Sequence, residues 1–123
     1  MATITVIIGE PPYGKERVYS TLRFTLAALS EGHRVNLFVF EDALFAAKRG
    51  QNPPEFPGVL EEHMPNCEAL LTAAIRQGAV AKLCGVCASQ RGIGPGELIE
   101  GVEMGGMRDL VQWVLQSDRV VSF

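Results

Sequence analysis

The chain has 123 residues, 47% hydrophobic and 20% charged, with 11 Lys and Arg against 14 Asp and Glu and a net charge of −3. That acidic balance, with no basic cluster, argues against nucleic acid as the main partner. No apolar run nears the roughly 18–20 residues that span a bilayer, and the length suits one domain over residues 1–123.

The first residues, Met-Ala-Thr-Ile-Thr-Val-Ile-Ile-Gly, lack the basic segment and small-residue cleavage site of a signal peptide. The expected location is the cytoplasm, where thiols stay reduced unless they are used. Three cysteines, an odd number, fit poorly with a disulfide framework.

Thr3–Ile8 is a continuous β-branched apolar run, the pattern of a strand buried on both faces. Gly9-Glu-Pro-Pro-Tyr-Gly14 follows as a loop and lacks the spacing of a phosphate loop. Lys15–Ser30 reads as a helix with Val18, Leu22, Leu26 and Leu29 inward, stopped by Gly32. His33, just after it, is expected to be structural. Arg34–Phe40 is a second strand. Glu41-Asp42 opens a short helix that Gly50 ends.

Gln51–Pro65 holds four of the seven prolines and reads as a loop over the active edge. Asn66 caps a helix over Cys67–Gln77, whose apolar face is Leu70, Leu71, Ala74 and Ile75. Val80–Cys84 is a third strand, and a glycine-rich turn spans Gly92–Gly96. Ile99–Met104 is a fourth strand. Gly106–Gln116 is a helix with Leu110, Val111, Val114 and Leu115 inward, and Arg119–Phe123 closes as a fifth strand. Alternating strands and helices with short connections predict a three-layer α/β/α domain around a mostly parallel sheet. Ligands of such sheets bind beyond the carboxyl ends of the strands.

That edge collects the reactive groups. Cys84 and Cys87 form Cys-x-x-Cys after the third strand, with Arg91 one turn on. A thiol at a strand-to-helix handover is expected to be acidic, because unpaired N–H groups and the helix dipole favour the thiolate. Cys84 is the candidate nucleophile, with a small buried apolar residue as the alternative, and Cys87 is a candidate resolving thiol for which helix packing is an equal alternative. Arg91 either steadies a thiolate or forms a helix-end salt bridge. Tyr13, Glu41, Cys67, Met104 and Gly105 are candidate pocket residues. Glu41 and Asp42 form either an acid/base pair or helix caps. Trp113 and Met107 suit a subunit interface or the core. His63, Cys67, Cys84 and Cys87 would suffice for tetrahedral zinc, but their spacing is not a standard one, and no metal or cofactor is expected.

The motifs Gly9–Gly14, Gly32-His33, Gly50-Gln51, Cys84-Gly-Val-Cys-Ala-Ser-Gln-Arg-Gly-Ile93, Gly101-Val-Glu-Met-Gly-Gly-Met107 and Val120–Phe123, in this order, resemble the DsrE/DsrF-like family. That family includes sulfur-relay subunits of the TusD type. The resemblance implies a five-stranded parallel sheet and homo- or hetero-oligomers of trimeric or hexameric type, with a homo-oligomer expected here. It also implies sulfur donor and acceptor proteins as partners. Relay members carry a cysteine eight residues before the glycine of an Arg-Gly pair, which is Cys84 here. Gly85 and Cys87 replace the alanine-rich sequence of the relay subunits. The implied function is an intracellular carrier of sulfane sulfur as a cysteine persulfide. A non-catalytic oligomeric module for an anion or small ligand, and a dithiol redox protein, are the alternatives.

Overall fold

The computed structural model describes residues 1–52 and 66–123. In chain order these form β1 (Thr3–Ile8), α1 (Arg17–Ser30), β2 (Arg34–Val39), a 3-10 segment (Glu41–Ala47) and α2 (Cys67–Arg76). Then come β3 (Val80–Cys84), α3 (Gly85–Gln90), a 3-10 turn (Pro95–Glu97), β4 (Glu103–Gly105), α4 (Met107–Gln116) and β5 (Arg119–Ser122). The strands make one sheet in the order β4-β3-β2-β1-β5, and every neighbouring pair is parallel. The five-stranded α/β expectation therefore holds.

Side chains alternate across each strand, so the two faces can be told apart. Val6, Ile8, Val35, Leu37, Val39, Ala81 and Leu83 join the main core with Val18, Leu22, Leu44 and Leu71. This is the face of α1 and α2. Thr5 and Phe38 point the other way, where Thr5 Oγ1 donates to the Trp113 carbonyl and Phe38 meets the Trp113 ring. That face belongs to α4. The connection from β4 crosses the sheet to reach β5 beside β1, which carries α4 over this opposite side.

The inward stripe of α1 is Val18, Thr21, Leu22, Thr25 and Ala28 rather than the leucine series alone; Leu26 and Leu29 are half-buried. The two threonines are tolerated inside because each hydroxyl donates to the carbonyl one turn back, Arg17 and Thr21, at 2.7 and 2.9 Å. Asn66 caps α2 as expected, its side chain accepting from the Ala69 N–H at 3.1 Å. His33 Nδ1 accepts from the Ala2 N–H at 3.0 Å, a structural tie at the amino edge.

Two further expectations are corrected. The fourth strand is Glu103–Gly105 and not Ile99–Met104. Leu98 and Ile99 are buried, but in a loop: Ile99 N–H donates to the Ala47 carbonyl, and Leu98 bridges Lys48. Gly101, at φ +95°, then turns the chain before pairing begins. The other correction is α4, which turns Leu110 and Trp113 inward and leaves Val111, Val114 and Leu115 exposed. Among the described helices only α4 lies on this face, and a two-residue stripe is what it turns to the sheet.

Gly101 gives a stability prediction. A Cβ there would sit 2.8 Å from Ile75 Cγ2, on a left-handed backbone. Gly101→Ala is expected to cost about 1–3 kcal/mol, read as a lower urea midpoint. An unchanged midpoint would mean that the turn is not needed.

Candidate functional site

The site grows from β3. Its sequence, Val-Ala-Lys-Leu-Cys, sends Ala81 and Leu83 into the main core and turns Lys82 and Cys84 to the α4 face. Cys84 ends the strand, pairs with Gly105 of β4 and is the residue at which α3 begins. It is 5% exposed. Phe38 lies opposite Lys82 in the neighbouring strand and is fully buried. Trp113 meets Phe38 edge-on at 6.2 Å, and the Lys82 ammonium lies 5.3 Å from the centre of the Trp113 ring. Lys82 Nζ also reaches Asp109 Oδ1 at 3.1 Å. The Gly106 N–H, donating at 2.8 Å, and then Lys82 hold the Asp109 carboxyl below its usual range.

Lys82, Asp109 and Trp113 were not among the candidate site residues. Lys82 could have been found, since it is the one charge inside an apolar strand and stands two residues before Cys84.

Cys87 faces the start of the 3-10 segment. Its Sγ accepts the Glu41 N–H at 3.1 Å. Glu41 has φ +51°, the only positive φ outside glycine among the described residues. Arg91 directs Nε and Nη2 to Asp42 Oδ1 at 3.0 and 2.9 Å, and Nη1 to the Cys87 carbonyl at 3.2 Å. Both side chains of this ion pair are partly exposed, so it is worth about 1 kcal/mol or less. Arg91 thus grips the end of α3 through backbone and carboxylate.

The Cys87 thiol is pushed up from its ordinary value. Burial raises it most. The Glu41 N–H opposes that, Cys84 raises it further through its side chain and charge, and Arg91 lowers it. The net direction is upward.

Tyr13 and Cys67 form a separate cluster. The Tyr13 hydroxyl donates to Gln51 Oε1 at 2.6 Å and accepts the Cys67 N–H at 3.2 Å. Gln51 is fixed in turn by the Ala46 and Lys48 carbonyls. The Cys67 thiol is fully buried and donates to the Pro12 carbonyl at 3.6 Å. Met104 pairs with Leu83 and is half-buried at the sheet edge. Glu41 and Gly105 therefore join the thiol site directly, whereas Tyr13 and Cys67 brace the loop beside it. A cleft of about 510 Å³ between α2 and the segment before β4 is lined by Arg49, Glu68, Thr72, Arg76 and Glu100, and holds none of the cysteines.

Burial pushes the Cys67 thiol from 9.0 up to about 11, against a smaller opposite effect of Tyr13. The folded chain keeps a proton there that the unfolded chain gives up above pH 9.0. Stability from this group is complete below that pH and falls as pH rises towards about 11, by roughly 2–3 kcal/mol. Urea midpoints measured across this range should drop more for the parent than for Cys67→Ala. Equal drops would assign the loss to other groups.

His63, needed for the zinc alternative, lies outside the described residues, as does most of the proline-rich loop. Among the described residues, no group of three or more His, Cys, Asp and Glu is placed to hold a metal ion. Nor is any helix among them long and apolar enough to cross a membrane.

The DsrE/DsrF-like family profile matches residues 2–123. The chain belongs to the DsrE/DsrF-like family. The resemblance carried by the Cys84–Ile93 motif thus extends over the whole sequence. An uncharacterized protein of Methanopyrus kandleri is 50% identical over 98% of this chain and 93% of its own length. YchN of Escherichia coli is 34% identical over the whole of both chains, and its crystal structure superposes with a TM-score of 0.88. The sulfurtransferase TusD of Pectobacterium carotovorum is 29% identical, again over the whole of both. Among DsrE/DsrF-like proteins, then, this chain is similar both to one named for sulfur transfer and to others whose names state no activity.

Proposed function

We propose that this protein is a cytoplasmic sulfur carrier that holds sulfane sulfur as a Cys84 persulfide. The observation that carries the reading is Cys84 itself, a thiol closing β3 at the carboxyl edge of the sheet, within the family's Cys-to-Arg-Gly motif. Membership of the family and whole-length similarity to a sulfurtransferase support it.

The chemistry is a displacement at sulfur. The Cys84 thiolate attacks the outer sulfur of a donor protein's persulfide. The donor's sulfur–sulfur bond breaks, the donor leaves as a thiolate, and Cys84 carries the new persulfide. An acceptor's thiolate then attacks that outer sulfur and Cys84 leaves as the thiolate. The role of the protein is to keep the inner sulfur buried while the outer one meets its partners. Arg91, Glu41 and Gly105 act on this site by shaping the loop, the helix end and the strand beside it.

Incubation with a sulfane-sulfur donor followed by peptide mapping tests the reading. One reducible sulfur atom on the Cys84 peptide is expected. A folded chain whose Cys84 stays unmodified would favour the alternative of a ligand-binding module.

The carrier works as a homo-oligomer. Met107, Val111, Val114 and Leu115 of α4 and Val120 of β5 leave an exposed band of large apolar side chains. A band of this kind suits the trimer or hexamer that the family resemblance implies. Leu115 is 74% exposed and supports no internal packing. Leu115→Asp is therefore expected to shift sedimentation to a smaller species without lowering the unfolding midpoint. A parent protein that already sediments as a single chain would contradict this.

A further inference from the structure

The two thiols of the Cys-x-x-Cys segment are not equally reachable. Cys84 is 5% exposed, whereas Cys87 is half-buried. In a persulfide on Cys84, an approaching partner meets the outer sulfur first. Attack there carries the sulfane sulfur away. Attack on the inner sulfur has a different outcome, because it expels the outer atom as hydrosulfide. Only a group already inside the fold can reach that inner atom, and Cys87 stands three residues after Cys84, in the first turn of α3, where the two thiols interact through side chain and charge.

Cys87 is also the thiol that its surroundings hold in place. The Glu41 N–H is aimed at its sulfur at 3.1 Å, from a backbone conformation that is costly outside glycine. Gly9 leaves the room this loop needs: a Cβ there would lie 2.9 Å from the Phe40 ring and 3.1 Å from the Glu41 carboxylate. Arg91 ties the Cys87 carbonyl to Asp42. A thiol that served only as apolar filling would need none of these ties.

We propose that Cys87 is a resolving thiol that diverts the Cys84 persulfide from transfer to reductive release. This step rests on the carrier reading above. The Cys87 thiolate attacks Cys84 Sγ, and a Cys84–Cys87 disulfide forms as the bond to the outer sulfur breaks. The outer sulfur leaves as hydrosulfide. It keeps the bonding pair and is formally reduced by one electron, the Cys87 sulfur is oxidised by one, and the Cys84 sulfur is unchanged, its bond to the outer sulfur replaced by the bond to Cys87. A dithiol reductant, small-molecule or protein, resets the site. It attacks the more exposed Cys87 sulfur, Cys84 departs as the thiolate, and the dithiol leaves oxidised. Burial raises the Cys87 thiol from its ordinary value, which disfavours its thiolate and slows this step near neutral pH. The protein is thus a relay when an acceptor is present and a source of sulfide when one is absent.

The test uses the full chain, loaded anaerobically with inorganic polysulfide, freed of excess reagent and left without acceptor. Sulfide release and intact mass are followed together. The parent is expected to release one sulfide per persulfide and to end two hydrogens below the reduced mass. Cys87→Ser should load normally on Cys84 and keep its persulfide more than about tenfold longer. Equal decay in both proteins, without disulfide, overturns the resolving role and leaves the carrier reading standing. Failure of Cys84 to load in either protein overturns both. Titration of the parent in a thiol–disulfide buffer is a second reading: a Cys84–Cys87 disulfide is expected, and its absence rejects the step whatever the loading result.

Discussion

Cys84→Ser is expected to carry no sulfane sulfur above background after exposure to a persulfide donor. The loss should be essentially complete, because a serine hydroxyl is not ionised near neutral pH and forms no persulfide. The fold should survive. Cys84 is buried but outside the main apolar cluster, and replacing sulfur by oxygen there costs about 1–2 kcal/mol at most. Cyanolysable sulfur per chain, measured beside the unfolding midpoint, separates the two effects. Cys67→Ser is the informative control. Its thiol is turned to the Pro12 carbonyl and holds its proton to about pH 11, so loading should persist in that variant. Full loading of a folded Cys84→Ser would move the chemistry to another thiol.

The largest effect on stability is expected at Phe38. Its ring is fully buried between β2 and α4 and meets Phe40 as well as Trp113. Phe38→Ala removes that ring and leaves a cavity that Trp113 alone cannot fill. A loss of about 3–5 kcal/mol is expected, enough to lower Tm by about 10 °C or more. Trp113 would also lose the contact that fixes its edge, and with it the ring on which the Lys82 ammonium rests. Trp113 fluorescence should therefore change even where the variant is still folded. A loss below about 1 kcal/mol would show that α4 is not anchored through Phe38.

The fold was legible because its strands are continuous β-branched or apolar runs. Thr3–Ile8 and Val80–Cys84 have in the structure the bounds read from the sequence. Asn66 and its helix were legible for a local reason, since a cap needs only its own next turn. Errors arose where distant packing outweighed local pattern. Ile99 reads as strand, yet it is buried as loop because Ala47 accepts its N–H. Leu26 looks like core, yet the threonines beside it are buried more deeply because their hydroxyls are satisfied within the helix. In α4 the apolar residues outnumber the positions that face the sheet, so pattern alone could not show that Val111 and Leu115 point outward.

The candidate site was legible in part. Cys84, Cys87 and Arg91 share one short segment, and their proximity follows from sequence spacing. The tie between Glu41 and Cys87 spans 46 positions and depends on an unusual backbone angle, which no local rule signals. Asp42 was foreseen as a cap or a catalytic carboxylate, whereas it holds Arg91. Lys82 was passed over because a lone lysine usually marks a solvated position. Here its ammonium is held by Asp109 and the Trp113 ring.

The most direct measurement is a chase of isotope-labelled sulfane sulfur, followed by peptide mapping over time. The labelled atom should occupy the Cys84 peptide after loading and leave it for an acceptor protein's thiol, at a rate that depends on acceptor concentration. Label that never resides on Cys84, or that passes to the acceptor equally fast in Cys84→Ser, would contradict the sulfur-carrier account.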